Sequence, residues 1–125
     1  MMQYSKASTI ELVLPFRAIP KARMTQRSKW YARGRLTLDF QALVASFIRA
    51  KNPPVYTTPV ELTCRFYFRD RRHGDLKNYI AAIEDALQYA GVLANDKLVL
   101  RYGAGTGIYY DENERIELKI RPLAI

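Results

Sequence analysis

The sequence predicts an α+β domain, a two-layer arrangement in which two helices cover one face of a small, mixed, four-stranded sheet. Short stretches alternate apolar and polar residues with the period of a strand, and two longer stretches repeat apolar residues every three or four positions. Their order is strand, helix, strand, helix, strand, strand. Two helices are too few to cover both faces of the sheet, and both are therefore expected on the same face. The length of 125 residues predicts one domain over 1–125.

The first half of the chain contains one predicted strand, a long loop and one predicted helix. Alternation over 10–14 predicts a strand, which Pro15 ends because proline has no N–H to donate. Residues 17–35 show no apolar period and predict a long loop. The helical period then predicts a helix over 37–51, with Thr37 as its N-cap.

The clearest strand and the clearest helix follow each other in the middle of the chain. Strict alternation predicts a strand over 60–68. The apolar stripe of the next segment predicts a helix over 76–90, with Asp75 at the N-cap and Gly91 just past its end.

The last third of the chain predicts two more strands, over 98–102 and 116–120. The GAGTG segment at 103–107 lies between them. It lacks the lysine and the strand-to-helix context of a phosphate-binding loop, so it is interpreted as a flexible hairpin.

The composition excludes several classes of protein. Hydrophobic residues make up 49% and charged residues 26% of the chain, which is typical of a soluble globular domain. No run approaches the roughly 18 apolar residues of a membrane span. Residues 1–16 do not have the features of a signal peptide, so a cytoplasmic location is expected. Cys64 is the only cysteine and His73 the only histidine, which leaves oxygen ligands for any metal.

The charge predicts a polyanion as the binding partner. Lysine and arginine number 20 against 12 acidic residues, for a net charge of +8. Residues 17–35 contain basic residues and no acid, and Trp30 and Tyr31 lie among them. Stacking on unpaired bases and packing in the core are both open for these two rings.

Two aspartates flank the second predicted helix and are candidate ligands of a hard cation. Asp75 precedes the helix and Asp96 follows it. The helix over 76–90 is about 22 Å long, so the two meet only if the chain doubles back. The structural alternatives are a capping role for Asp75 and an Asx-turn role for Asp96.

Four short motifs occur in order around this helix: RDRRHGDLKN at 69–78, IEDAL at 83–87, AGV at 90–92 and ND at 95–96. Their order and spacing resemble the core signature of the RusA family of Holliday junction resolvases, in its phage-type form. The IPKAR run at 19–23 resembles the basic loop of that family. The resemblance extends from Ile10 to Ile120.

The resemblance implies a crossover junction endodeoxyribonuclease, a hydrolase that uses Mg²⁺ to resolve four-way DNA junctions in recombination and repair. No small-molecule cofactor is implied. A homodimer is expected, because a junction has two equivalent strands to cut and a two-fold protein presents two sites.

The resemblance also implies site residues. Asp75 and Asp96 match the metal-binding aspartates, Asn78 matches the asparagine that positions them, and Asp85 matches the aspartate within the helix. Three positions depart from the pattern. A second catalytic aspartate is replaced by Lys77, a catalytic lysine by Ala81 and the first of two paired aspartates by Asn95.

Two of these departures are explained if the catalytic cation and the lost carboxylate come from other positions on the same helix. Lys77 and Ala81 are four residues apart on one helix face, so Lys77 is a candidate for the catalytic cation. Glu84 or Asp85 then supplies the lost carboxylate as a metal ligand. The alternatives are a solvated Glu84 that pairs with surface cations, and a Lys77 that contacts a phosphate or only adds solubility.

Basic side chains from two segments are predicted to bind DNA, since arginine matches the geometry of phosphate oxygens. An ordinary charged turn is the alternative for the second segment. The predicted residues are Lys21, Arg23, Arg27, Lys29, Arg69, Arg71, Arg72 and His73.

Two other functions stay open at this stage. The first is a catalytically weakened protein of the same fold that binds branched DNA, because Lys77 and Ala81 alter the site. The second is a basic RNA-binding module, against which the missing aromatic RNA-binding signature counts.

Overall fold

The computed structural model describes residues 8–21 and 32–124 of the chain. The α+β class is confirmed. A single turn of 3-10 helix, Asp96–Leu98, precedes the third strand. The other elements in the described part are β1 (Ile10–Leu14), α1 (Ala32–Arg49), β2 (Val60–Phe68), α2 (Leu76–Tyr89), β3 (Val99–Tyr102), β4 (Gly107–Tyr110) and β5 (Arg115–Pro122).

The sheet is built around β2. On one side β2 pairs antiparallel with β5, which in turn pairs antiparallel with β1. On the other side β3 pairs parallel with the first residues of β2, Val60 to Leu62, and β4 pairs parallel with the last ones, Arg65 to Phe68. The sheet is therefore mixed, with β3 and β4 sharing one edge.

The prediction of four strands was wrong by one, because β4 had been assigned to a loop. Only Ile108 of this four-residue strand packs against the core, so no apolar alternation marks it. The GAGTG segment is not a hairpin either, since β3 and β4 both run parallel to β2. It is a turn within one edge, closed by the N–H of Thr106 donating to the oxygen of Gly103 at 3.1 Å.

Both helices pack on the same face of the sheet, as predicted. Every second residue of β2, from Val60 to Phe68, is fully buried against them. The two helices also contact each other: the Gln41 side chain donates to the oxygen of Asp85, and that of Arg49 to the oxygen of Tyr89. No helix in the described ranges is both long and apolar enough to cross a membrane.

The helix boundaries differ from the prediction at both ends of α1 and by one residue at the end of α2. Helix α1 begins at Ala32 rather than at residue 37, because its first turn carries basic residues without an apolar period, and it ends at Arg49 rather than at residue 51. Thr37 lies within the helix and is buried, so it is not the N-cap. For α2 the prediction was accurate to within that residue: the helix covers Leu76–Tyr89, and Gly91 follows in the left-handed conformation with φ of 80°.

Candidate active site on helix α2

Aromatic packing fixes where α2 begins. The chain leaves β2 at Phe68 and turns through a polar segment. The ring of Tyr79 packs on Phe66 and Phe68 at centroid distances of 5.5 and 5.0 Å. Its hydroxyl also accepts a hydrogen bond from the N–H of Gly74 at 2.7 Å. The start of α2, with Asp75, is thereby held against the end of β2.

After α2 the chain doubles back part of the way along the helix. The N–H of Tyr56 donates to the oxygen of Val92 at 2.7 Å, and the N–H of Ala94 donates to the oxygen of Tyr56 at 3.2 Å. Asn95 then accepts a side-chain hydrogen bond from the N–H of Lys97 and caps the 3-10 turn. The Asx-turn role considered for Asp96 therefore belongs to Asn95, and the Asp96 carboxylate is exposed.

Three carboxylates come near one another beside the middle of α2; Glu84, Asp85 and Asp96 are called the α2 carboxylate cluster. Glu84 is half-buried, and its Oε2 accepts a hydrogen bond from the hydroxyl of Tyr102 on β3 at 2.6 Å. The alternative of a freely solvated Glu84 is therefore wrong. The cluster joins α2 to the segment that leads into β3.

The electrostatics of the cluster are those of negative charges held close together. Burial raises the pKa of Glu84, and the nearby carboxylates of Asp96 and Asp85 raise it further. The Tyr102 hydroxyl and the Lys21 ammonium lower it. Like charges in a partly desolvated place disfavour the ionised form, so a cation is favoured there.

Lys21 makes two contacts with α2. Its Nζ lies 2.8 Å from Oδ2 of Asp85. Its backbone N–H donates to the oxygen of Asn78, one turn into the helix, at 3.0 Å. The segment after β1 is thus fastened to α2.

The predicted residues at the start of α2 form a separate group. Asp75 occupies the N-cap position, but its side chain makes no capping hydrogen bond. Asp75, Lys77 and Asn78 are all exposed. Glu84 lies nine residues beyond Asp75, about 14 Å along the helix axis. The structure therefore brings Glu84, Asp85 and Asp96 together but does not bring Asp75 to them.

Arginine and aromatic side chains stack beside Asp75; Arg17, Phe68, Arg71, His73 and Tyr110 are called the Arg–aromatic platform. The His73 ring stacks on Phe68 at a centroid distance of 4.9 Å, and its Nε2 is hydrogen-bonded to the Tyr110 hydroxyl at 2.7 Å. Arg17 lies 4.9 Å from the ring centre of Phe68 and Arg71 5.1 Å from that of Tyr110. These cation–π contacts fix guanidinium groups at the surface.

The other predicted DNA contacts are placed differently. Glu114 accepts a hydrogen bond from the N–H of Arg69 at 3.0 Å and pairs with the side chains of Arg17 and Arg69. Arg72 has an exposed side chain, and its N–H donates to Asp70. Predictions for Arg23, Arg27, Lys29, Trp30 and Tyr31 lie outside the described residues.

Three residues in or beside these two groups were missed from the sequence: Arg17, Tyr102 and Tyr110. Tyr102 ends a predicted strand, and nothing in its spacing shows that it faces Glu84. Tyr110 lies on the strand that was not predicted. Arg17 belongs to the basic segment 17–35, and nothing in this segment distinguishes it from the neighbouring basic residues.

In the part of the chain that the structure describes, no group of three or more Asp, Glu, His or Cys side chains is arranged to hold a metal by itself. The oxygen donors of the α2 carboxylate cluster still fit a hard divalent cation. Among such ions, Mg²⁺ is usually bound by one or two carboxylates, with waters and substrate phosphates completing the shell. Glu84 and Asp96 would supply two carboxylates.

Comparison with known protein families identifies the family to which the chain belongs. The model for the family described as Endodeoxyribonuclease RusA matches residues 15–121. The chain belongs to the RusA endodeoxyribonuclease family. Among curated proteins none matches the chain. The RusA match runs from the end of β1 into β5, so it includes both the platform and the cluster, and it supports nuclease activity.

Proposed function

We propose that this RusA protein is a Holliday junction resolvase, an endonuclease that cuts four-way DNA junctions in recombination and repair, with Mg²⁺ as its cofactor. The observation that carries the proposal is the pair of sites on α2. An arginine-rich platform suited to DNA phosphates lies at the start of the helix, and a carboxylate cluster suited to a divalent cation lies about 14 Å further along.

Glu84 and Asp96 would hold the cation, which when bound lowers the pKa of a water and offsets charge on the phosphate. The hydroxyl of Tyr102 orients Glu84. Half-burial of Glu84 keeps its carboxylate from turning freely into solvent. The roles predicted for Asp75, Asn78 and Lys77 stay predictions.

The platform would set the position of the DNA strand. Arg71 presents an exposed guanidinium group fixed on Tyr110, and arginine contacts to phosphate orient a protein on DNA without reading its sequence. Tyr110 is half-exposed, so the part of its ring that Arg71 and His73 leave open can meet a base or sugar. We also propose a homodimer, because the two equivalent strands of a junction call for two sites related by a two-fold axis.

A second candidate is a protein that binds branched DNA and cuts it weakly. Two observations favour it: Asp75 is separated from the α2 carboxylate cluster, and Lys77 is exposed without an ion-pair partner in the described part of the chain. The two candidates share the DNA surface and differ only in the rate of cleavage.

The test uses a synthetic four-way junction with a mobile centre and a linear duplex of matched sequence. We expect the protein to cut the junction in Mg²⁺, to spare the duplex, and to cut neither in EDTA. Binding of the junction without cleavage in Mg²⁺ would favour the second candidate. Failure to prefer the junction over the duplex in either assay would contradict both.

A further inference from the structure

The ammonium of Lys21 lies against α2, where no positive charge from this segment was expected. Lys21 was predicted to contact DNA phosphates, but its ammonium is already 2.8 Å from the Asp85 carboxylate. Exposed fractions of the two side chains are 43% and 36%, so the pair is partly shielded from water. An ammonium engaged in this way is not free to bind a phosphate.

The route of the Lys21 side chain follows from its two contacts. Its backbone is hydrogen-bonded to Asn78 and its ammonium is paired with Asp85, seven residues further along α2. Residues 78, 81, 82 and 85 share one helix face. The side chain therefore runs along that face, and the two residues between its contacts, Ala81 and Ala82, are small enough to leave it room.

The position of the ammonium matters for the carboxylate cluster. Asp85 belongs to the cluster and directly follows Glu84 on α2, so the Lys21 ammonium lies beside the cluster. In the described part of the chain, Lys21 is the cation that forms an ion pair with a member of the cluster. Lys77, the cation expected at this site, is exposed and makes no ion pair in the same part of the chain.

We propose that Lys21 is a positioning residue for DNA cleavage: from the segment after β1 it supplies the positive charge that holds the α2 carboxylate cluster together. This role rests on the proposed nuclease function. It differs from both earlier interpretations of the helix, since the cation comes neither from Lys77 nor from position 81. It also removes Lys21 from the set of phosphate contacts.

The test is a rescue from a second site. A lysine placed at 81 lies four residues before Asp85 on the same face, within reach of its carboxylate. We expect Lys21→Ala to slow single-turnover cleavage of the junction at least about tenfold, since small displacements of site groups have effects of this size. Adding Ala81→Lys to that variant should restore most of the rate, whereas Ala81→Lys alone should be neutral or harmful.

Binding measurements separate the proposal from its competitors. The slope of log K against log salt should be unchanged in Lys21→Ala, because removing a cation that neutralises a phosphate would reduce it by about 0.9. Lys21→Arg should keep activity. Lys119→Ala is the matched control, because Lys119 is exposed on the sheet face opposite the helices.

The outcomes of these assays distinguish a failure of the Lys21 proposal from a failure of the proposed function. A Lys21→Ala variant that cuts at the wild-type rate, or a reduced salt slope, would overturn the proposal while leaving the nuclease function intact. A loss that Ala81→Lys does not rescue would show that Lys21 only tethers its segment, which also overturns it. A wild-type protein that cuts no junction would instead contradict the proposed function itself.

Discussion

Asp75 has an exposed carboxylate with no partner in the described part of the chain. An aspartate at the N-cap usually accepts a hydrogen bond from the first turn of the helix, and this one does not. It also forms no ion pair with the nearby arginines of the described residues, although Arg71 and Arg72 are close in sequence. A carboxylate left unpaired in basic surroundings is available to a cation that arrives with the DNA.

The first prediction is that Asp75→Asn abolishes junction cleavage in Mg²⁺ and leaves binding in EDTA unchanged or tighter. The carboxylate would then bind a cation that arrives with the DNA, separate from the one proposed at the α2 carboxylate cluster, and its removal also removes a negative charge next to the bound phosphates. Gel-shift and cleavage assays on the same junction check this. Cleavage at the wild-type rate would remove Asp75 from the site.

The second prediction concerns the two arginines before Asp75. Replacing Arg71 and Arg72 with alanine should weaken binding uniformly across junction sequences and reduce the salt slope by about 0.9 for each phosphate that is no longer neutralised. Titrations at several salt concentrations measure the slope. An unchanged slope would place the DNA surface elsewhere on the molecule.

At the scale of elements, Glu114 ties three segments together at the end of the sheet that carries the platform. It pairs with Arg17 after β1 and with Arg69 after β2, and it lies just before β5. The hydrogen bond from the N–H of Arg69, with these arginine charges, holds the pKa of Glu114 below its ordinary value. The ionised form therefore stabilises the fold.

The third prediction follows from the direction of that shift. A lowered pKa in the folded state contributes stability above the ordinary pKa of a glutamate, about 4.3, and the contribution is lost as pH falls through the folded value. Glu114→Gln should lower the free energy of unfolding at neutral pH by about 1 kcal/mol or less. The difference from wild type should shrink toward pH 3, whereas Glu112→Gln, an exposed control, should show none.

The edge formed by β3 and β4 depends on close packing at Gly103. A Cβ at this residue would lie 2.0 Å from Oγ1 and 3.2 Å from Cβ of Thr63. Thr63 is buried in the central strand, so it has little room to move. The turn that joins β3 and β4 thus requires glycine at residue 103, because there is no space for a Cβ.

The fourth prediction is that Gly103→Ala destabilises the protein by about 1–3 kcal/mol, the usual cost of overpacking. Gly107→Ala is the matched control, since a Cβ there meets only an ordinary contact at 4.0 Å. Chemical denaturation of both variants measures the difference. Equal stability of the two would mean that the edge strand shifts to make room.

Helix α2 was predictable because its apolar stripe and its terminal glycine are local signals that tertiary packing reinforces. β4 was not, because its place depends on backbone pairing with β2, and its exposed tyrosines carry no alternation. The return of the chain that brings Asp96 toward Glu84 was not predictable for the same reason, because it too depends on contacts between distant segments. Sequence showed that the chain had to return, but the pairing of Tyr56 with the segment after α2 determines how far.

At the scale of the whole molecule, a sheet covered by helices on one face presents α2 with its functional groups outward. The platform, Asp75 and the α2 carboxylate cluster occupy successive positions along this helix. The net charge of +8 draws DNA toward such a surface and makes binding depend on salt. A homodimer would present two such helices to the two equivalent strands of a junction.

Mapping the cuts made in a four-way junction by the wild-type protein and by Glu84→Gln tests whether the α2 carboxylate cluster is needed for junction cleavage. We predict that the wild type in Mg²⁺ makes paired nicks in two opposite strands at equal distances from the crossover. Glu84→Gln should bind the junction and leave it intact. Cleavage of linear duplex as fast as junction, cleavage in EDTA, or an undiminished rate for Glu84→Gln would contradict the account.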